Sequence, residues 1–211
     1  MFFLNVNGGR KMDTKKRPII IDTDPGIDDA VALAIALNHP NLEVRLITTV
    51  AGNVDVEKTT NNALKLVDFF GKKVPVAKGC NCPLLIQLED SAEIHGETGM
   101  DGFEFPQPIS TCLDIHAVEA MRKEILSSDV PLTIVPIAAL TNIALLLTLY
   151  PEVKENIAEI VMMGGSLARG NTNTSAEFNT YVDPHAAQIV FQSGVPLTMV
   201  GLDRKSTRLN S

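Results

Sequence analysis

The sequence has few of the residues that mark disulfide-rich or membrane-spanning proteins. It contains no tryptophan and only three cysteines in 211 residues, and an odd number of cysteines does not indicate a disulfide framework. No stretch approaches the roughly 18 uninterrupted apolar residues of a membrane span. The apolar start at 1–4 is too short for a signal-peptide core. We therefore expect a soluble protein in a reducing, cytoplasmic compartment, without a membrane partner.

Basic residues are also in the minority. The chain has 18 lysines and arginines against 25 aspartates and glutamates, which gives a formal net charge of −7. This balance argues against a nucleic-acid partner, because affinity for the phosphate backbone depends largely on lysine and arginine. Hydrophobic residues make up 45% of the chain, which excludes a disordered protein and indicates one globular domain.

Short apolar runs alternate with segments of helical periodicity along the whole chain. The runs predict strands at 18–21, 43–50, 74–77, 132–136, 159–163 and 197–201, with helices at 30–37, 56–70, 114–126, 142–149 and 184–192. This alternation predicts an α/β fold of Rossmann-like type, an open, mostly parallel sheet with helices on both faces. Between 81 and 109 the sequence has no periodicity, and we interpret that segment as a long functional loop.

Four aspartates lie within eight residues at the first strand-to-helix junction. They are Asp22, Asp24, Asp28 and Asp29, with Pro25 and Gly26 between the two pairs. Carboxylates this close raise each other's pKa unless a cation or hydrogen-bond donors offset the charge. Calcium and magnesium both bind carboxylate oxygens, so the cluster favours a metal or substrate site at the edge where parallel sheets bind ligands.

Two other interpretations of this acidic loop stay open. Asp28 and Asp29 could simply stabilise the first turn of a helix, where each acid contributes roughly 0.3 to 1 kcal/mol. Alternatively, Asp22 and Asp24 form the Asp-x-Asp pattern of phosphatases that use the first aspartate as nucleophile. That pattern leaves the second acidic pair unexplained. An EF-hand is excluded, because the twelfth position from Asp22 is Leu33 instead of a bidentate glutamate.

The stretch from Asp22 to Ala30, DTDPGIDDA, resembles the signature of the inosine-uridine preferring nucleoside hydrolases. Further similar segments are VAGN at 50–53, IHG at 94–96, PIAALTN at 136–142, MGG at 163–165, GN at 170–171 and AEFN at 176–179. The surroundings of His95 and of Arg169 to Asn171 are most similar to those of the nonspecific ribonucleoside hydrolases. The resemblance covers a partial domain at 18–203, between an N-terminal extension at 1–17 and a non-family tail at 204–211.

The resemblance implies a calcium-dependent enzyme that hydrolyses the N-glycosidic bond of purine and pyrimidine ribonucleosides to ribose and free base. By that similarity Asp24, Asp29 and the main-chain carbonyl of Ile137 would bind Ca²⁺, and Asp24 would be the general base. Asp28, Asn171, Glu177 and Asn179 would bind ribose, Asn53 and Met163 would line the pocket, and His95 would lie near the base. Members of the family often form homodimers or homotetramers.

The sequence departs from the family after Leu202. In the family, a further aspartate ligand and, in purine-preferring members, a histidine acid come from a segment beyond this point, and Asp203 is not the matching position. We therefore expect a fold that is incomplete at the C-terminus, with weakened calcium affinity and exposed apolar sheet surface. A noncatalytic nucleoside-binding fragment is the alternative function, and the phosphatase is a less favoured one.

Overall fold

A computed structural model describes residues 16–89 and 96–202, and helices and strands alternate throughout. In chain order the elements are β1 (Arg17–Thr23), α1 (Ile27–Asn38), β2 (Leu42–Thr49), α2 (Val56–Phe69), β3 (Val76–Lys78), α3 (Ala117–Ser127), β4 (Leu132–Pro136), α4 (Thr141–Leu149), a 3-10 helix (Pro151–Asn156), β5 (Ile157–Met163), α5 (Phe178–Val182), α6 (Pro184–Phe191) and β6 (Leu197–Val200). All six predicted strands and all five predicted helices are present.

The strands form one sheet in the order β3-β2-β1-β4-β5-β6, and every neighbouring pair is parallel. This confirms the predicted open α/β sheet. Strands β1 and β4 lie at the centre of the sheet. From β1 the strands β2 and β3 follow toward one edge, and from β4 the strands β5 and β6 follow toward the other. Ligands of such sheets bind beyond the carboxyl ends of the strands at the point of reversal, which here lies beyond Thr23 and Pro136.

Side chains of β1 alternate between two cores. Ile19 and Ile21 pack with Leu33 of α1 and with α2 on one face of the sheet. Ile20 packs on the opposite face, with α3 and α4. All three isoleucines are buried, as expected for a central strand covered by helices on both sides. Thr23, two residues after Ile21, continues the face that points toward α1.

Two short elements do not follow from the sequence pattern. Helix α5 has five residues and the 3-10 helix has six, and both are too short to show a helical period. Helix α1 begins at Ile27, three residues before the predicted start, so Asp28 and Asp29 lie in its first turn. The described parts of the predicted loop, 81–89 and 96–109, contain neither helix nor strand.

Several predictions lie outside the described residues. They concern His95, residues 1–15 of the N-terminal extension, and Asp203 with the tail at 204–211. Within the described residues, none of the helices combines the length and the apolar composition needed to cross a membrane. The three cysteines are free thiols.

An exposed apolar line runs along helix α1. Ile27, Val31 and Ile35 follow one another at intervals of four residues, and 51%, 60% and 61% of their surfaces are exposed. Since Leu33 is buried against the sheet, apolar side chains lie on opposite sides of this helix. Such an all-round apolar pattern is typical of a helix covered on more than one side.

Candidate active site at the carboxyl edge of the sheet

Asp24 follows β1 directly and is 1% exposed. Its Oδ2 accepts a hydrogen bond of 2.7 Å from the backbone amide of Asn53, and the Asn53 side-chain amide donates to the Asp24 carbonyl at 3.0 Å. A Cβ added to Gly52 would lie 2.1 Å from Asp24 Oδ2, so the loop after β2 can approach this closely only with glycine there. Oδ1 has no hydrogen-bond partner among the described residues.

Asp29 lies beside Asp24 and is also buried. Its Oδ1 accepts a hydrogen bond of 2.6 Å from the Thr23 hydroxyl. Its Oδ2 accepts from the backbone amide of Gly26 at 3.1 Å and, at a long 3.5 Å, from the side chain of Asn53. The contact with Gly26 caps the start of α1 in one direction only, from the N-cap amide to the side chain at the third helical position, because glycine has no side chain to return the bond. Helix capping is therefore one role of Asp29, while Asp28 is exposed.

Burial and mutual repulsion make ionisation of this pair unfavourable. Loss of solvation raises the pKa of Asp24 well above its usual range, and the nearby Asp29 charge raises it further. Burial raises the pKa of Asp29 to about 7, against the opposing hydrogen bond from Thr23. All of the donors named above are neutral, and no ion pair within residues 16–89 and 96–202 involves either carboxylate.

Ile137 and Asn179 meet on the other side of the strand-order reversal. The backbone amide of Ile137 donates to the Asp22 carbonyl at 2.8 Å, so the backbone after β4 stays next to β1. The side-chain amide of Asn179 donates to the Ile137 carbonyl at 3.1 Å and to the Met163 carbonyl at 3.2 Å. The start of α5 is thereby attached to the ends of β4 and β5, which brings three predicted site residues together.

Glu177 is the N-cap of α5 and is 2% exposed. Its carboxylate accepts three backbone hydrogen bonds, from Asn179 at 3.0 Å, from Thr180 at 3.2 Å and from Gly165 at 2.9 Å. Asn171 is exposed, and its Oδ1 accepts from the Phe178 amide at 2.9 Å. Both predicted ribose-binding residues therefore shape the loop between β5 and α5.

Comparison with known proteins shows the family of this chain. The model of the family "Inosine-uridine preferring nucleoside hydrolase" matches residues 19–210. The chain belongs to this family.

Individual relatives agree with that assignment. The non-specific ribonucleoside hydrolase RihC of Klebsiella pneumoniae strain 342 is 53% identical over 186 residues, which are 88% of this chain and 61% of the relative. Among solved structures, a purine-preferring ribonucleoside hydrolase from Gardnerella vaginalis is 38% identical with a TM-score of 0.85, covering 89% of this chain and 61% of that one. A plant nucleoside hydrolase is 34% identical with a TM-score of 0.82, covering 89% and 60%. The chain thus spans about three fifths of the length of these nucleoside hydrolases.

Asp22 is fully buried. Its Oδ1 accepts from the Thr48 hydroxyl at 2.5 Å and from the Asn142 side chain at 2.8 Å, while Oδ2 has no hydrogen-bond partner in the described ranges. Burial raises its pKa to about 7. The same burial is shared by Asp24, so burial alone does not decide between the two roles. The family match argues against the Asp-x-Asp hypothesis.

Asn142 connects the ends of three strands beneath the site. Its side-chain amide donates to Asp22 and, at 2.9 Å, to the Thr49 carbonyl, while its Oδ1 accepts from the Cys80 amide at 3.0 Å. Asn142 belongs to the PIAALTN motif, but the motif alone does not indicate its role. A buried polar residue at the start of an apolar helix is the signal that could have identified it.

The turn after the undescribed residues 90–95 is anchored next to the acidic loop. The side chain of Asn62 on α2 donates to the Pro25 carbonyl at 3.1 Å and to the Thr98 carbonyl at 2.8 Å. A Cβ on Gly99 would lie 3.0 Å from Val54, so this turn packs tightly. The turn at 96–99 therefore lies beside the acidic loop.

No group of three or more His, Cys, Asp and Glu side chains in the described parts of the chain is placed to bind a metal ion. The predicted ligand set contains only two carboxylates, with a main-chain carbonyl as the third group. Asp24 and Asp29 are nevertheless brought together by contacts with the same residue, Asn53. The buried Oδ1 of Asp24 accepts no hydrogen bond from the described residues. It is a hard oxygen donor of the type that Ca²⁺ binds, and no cationic side chain among the described residues pairs with it.

Proposed function

We propose that this chain carries the ribose-binding and metal-binding part of a calcium-dependent nucleoside hydrolase. The enzyme would hydrolyse the N-glycosidic bond of ribonucleosides to ribose and free base. The observation that carries the proposal is the buried pair of Asp24 and Asp29, which is held by neutral donors alone and retains one unpartnered oxygen. Burying an uncompensated carboxylate pair is costly, and a divalent cation would offset that cost.

Asp24, Asp29 and the Ile137 carbonyl would hold the cation. These are oxygen donors, the type that calcium prefers, and calcium accepts irregular coordination geometry. When bound, such an ion would contact ribose hydroxyls and a water molecule and lower the pKa of that water. The Asn179 amide hydrogen bond to the Ile137 carbonyl keeps that carbonyl oriented.

Asp24 would act as the general base. Its Oδ1 accepts no hydrogen bond from the described residues. Because a carboxylate oxygen has two lone pairs, one would face the cation and the other would accept a proton from the attacking water. A positioned base of this kind contributes roughly 10² to 10⁴ in rate. Cleavage of a glycosidic bond develops positive charge on the sugar ring, and the acidic cluster supplies the negative potential that stabilises it.

The remaining predicted residues would bind the nucleoside. Asp28, Asn171, Glu177 and Asn179 offer acceptors and donors to ribose hydroxyls, which can act as both. Asn53 and Met163 would line the pocket, and His95 would lie near the base.

We propose both purine and pyrimidine ribonucleosides as substrates, because the relative RihC, which is 53% identical to this chain, is named a non-specific ribonucleoside hydrolase. A cytoplasmic location and a homodimer or homotetramer remain predictions.

A reducing-sugar assay on inosine and uridine tests this function. The 211-residue chain and its Asp24→Asn variant are compared at pH 7.5 with calcium, and Asp129→Asn is the control. Asp129 is exposed and precedes β4, at the opposite end of the sheet. We expect ribose release by the wild type and the control, and at least a hundredfold loss in Asp24→Asn.

Two results would contradict the proposal. Equal ribose release by Asp24→Asn and the wild type would remove Asp24 from its role as general base. Binding of inosine without any release of ribose would replace hydrolysis with the alternative of a noncatalytic nucleoside-binding chain.

A further inference from the structure

We propose that Thr23 is a positioning residue that orients the Asp29 carboxylate toward the cation. This inference rests on the proposed function, because it assumes that Asp29 is a ligand. Thr23 is the last residue of β1 and is fully buried. Its hydroxyl donates to Asp29 Oδ1 at 2.6 Å, the shortest of the hydrogen bonds described for this carboxylate.

The pleat of β1 brings Thr23 to Asp29. Ile19 and Ile21 point toward helix α1, and Thr23 continues that face at the next alternate position. Asp29 lies in the first turn of the same helix. The hydroxyl therefore connects the end of the central strand with the start of the helix that covers it.

The hydrogen bond from Thr23 is not needed for the helix cap. The cap uses Asp29 Oδ2, which accepts from the Gly26 amide. Thr23 holds the other oxygen, Oδ1, from the side of the strand. The Asn53 side chain also donates to Oδ2, at 3.5 Å. With both oxygens held, the plane of the carboxylate is fixed, and the lone pairs that these donors do not use remain available to a ligand.

A neutral donor suits this position for an electrostatic reason. A lysine or arginine could hold Asp29 equally well, but its charge would offset the carboxylate and repel a divalent cation. A hydroxyl orients the carboxylate and leaves its charge for the metal. Groups that orient a ligand in this way typically contribute roughly 10- to 100-fold in metal affinity.

The test compares Thr23→Val, Thr23→Ser and Thr60→Val with the wild-type chain. Valine removes the hydroxyl with little change in shape, whereas serine keeps it. Thr60 is a matched control, because it is a buried threonine whose hydroxyl bonds to Val56 and Thr49 and not to the acidic loop. The dissociation constant for Ca²⁺ is measured by isothermal titration calorimetry, and thermal unfolding is followed without calcium.

We expect Thr23→Val to bind Ca²⁺ about tenfold or more weakly, while Thr23→Ser and Thr60→Val stay within about threefold of the wild type. Equal affinity in Thr23→Val and wild type would overturn the inference while leaving the proposed function intact. An equal loss in Thr60→Val would also overturn it, because general destabilisation would then explain the effect. Absence of calcium binding by the wild type would reject the proposed function together with this inference.

Discussion

Replacing Asp22 by asparagine should change how stability depends on pH. Burial raises the pKa of Asp22 to about 7 from an ordinary value of 3.8. The folded chain therefore holds this proton at pH values where the unfolded chain has lost it. Stability from this group is fully present below pH 4, falls as the pH rises, and is lost by about pH 7. This direction is opposite to that of a carboxylate in an ion pair.

The structure sets the size of the effect. A difference of about three pKa units corresponds to roughly 4 kcal/mol at 1.36 kcal/mol per unit. Asparagine keeps an acceptor at Oδ1 for both Thr48 and Asn142. Its new NH₂ group would replace Oδ2, which has no partner in the described part of the chain, at a cost of about 1 to 3 kcal/mol. That cost is the same at every pH.

Urea unfolding followed by circular dichroism at pH 4.5 and pH 8 measures the two contributions separately. Asp22→Asn should be less stable than the wild type at pH 4.5 and should gain about 3 to 4 kcal/mol relative to it at pH 8. The exposed control Asp129→Asn should show no such gain. A difference between Asp22→Asn and wild type that is the same at both pH values would refute the reasoning.

Three further predictions concern the site itself. Calcium should raise the melting temperature of the wild-type chain at pH 7.5 in scanning calorimetry, and no rise should occur in Asp24→Asn; an equal rise in both would place the ion elsewhere. Gly52→Ala should weaken Ca²⁺ binding about tenfold or more in titration calorimetry, because its Cβ would lie 2.1 Å from Asp24 Oδ2; unchanged affinity would show that Asp24 adjusts freely. Glu177→Ala should lower the free energy of unfolding by about 0.5 to 2 kcal/mol in urea unfolding, as expected for a lost N-cap. An unchanged unfolding midpoint would show that the hydrogen bonds to the Glu177 carboxylate do not stabilise the chain.

Local pattern is sufficient to predict much of this fold. The apolar runs around Ile20 and Ile134 indicate buried strands because both faces of a parallel sheet are covered. The alternation of strands with helices then implies parallel pairing. The strand order does not follow from these patterns, since it depends on which helix covers which face. Short helix α5 also escapes prediction because its N-cap, Glu177, is also consistent with an exposed loop residue.

Sequence patterns predict only part of the candidate site. The four aspartates predict a site at the end of β1, and the motif resemblance supplies the roles. Thr23 and Asn142 belong to those motifs, yet their importance depends on contacts with Asp29 and Asp22 across the fold. A sequence does not reveal which neutral hydroxyl or amide will face a carboxylate. Such positioning groups become visible only when strand ends and helix starts are placed together.

The central claim is that Asp24 and Asp29 bind a calcium ion. Anomalous diffraction from crystals of the chain grown with calcium and inosine tests it most directly. We predict an anomalous peak in contact with Asp24 Oδ1, the Asp29 carboxylate and the Ile137 carbonyl. A calcium ion located elsewhere, or none at these three groups, would contradict the account.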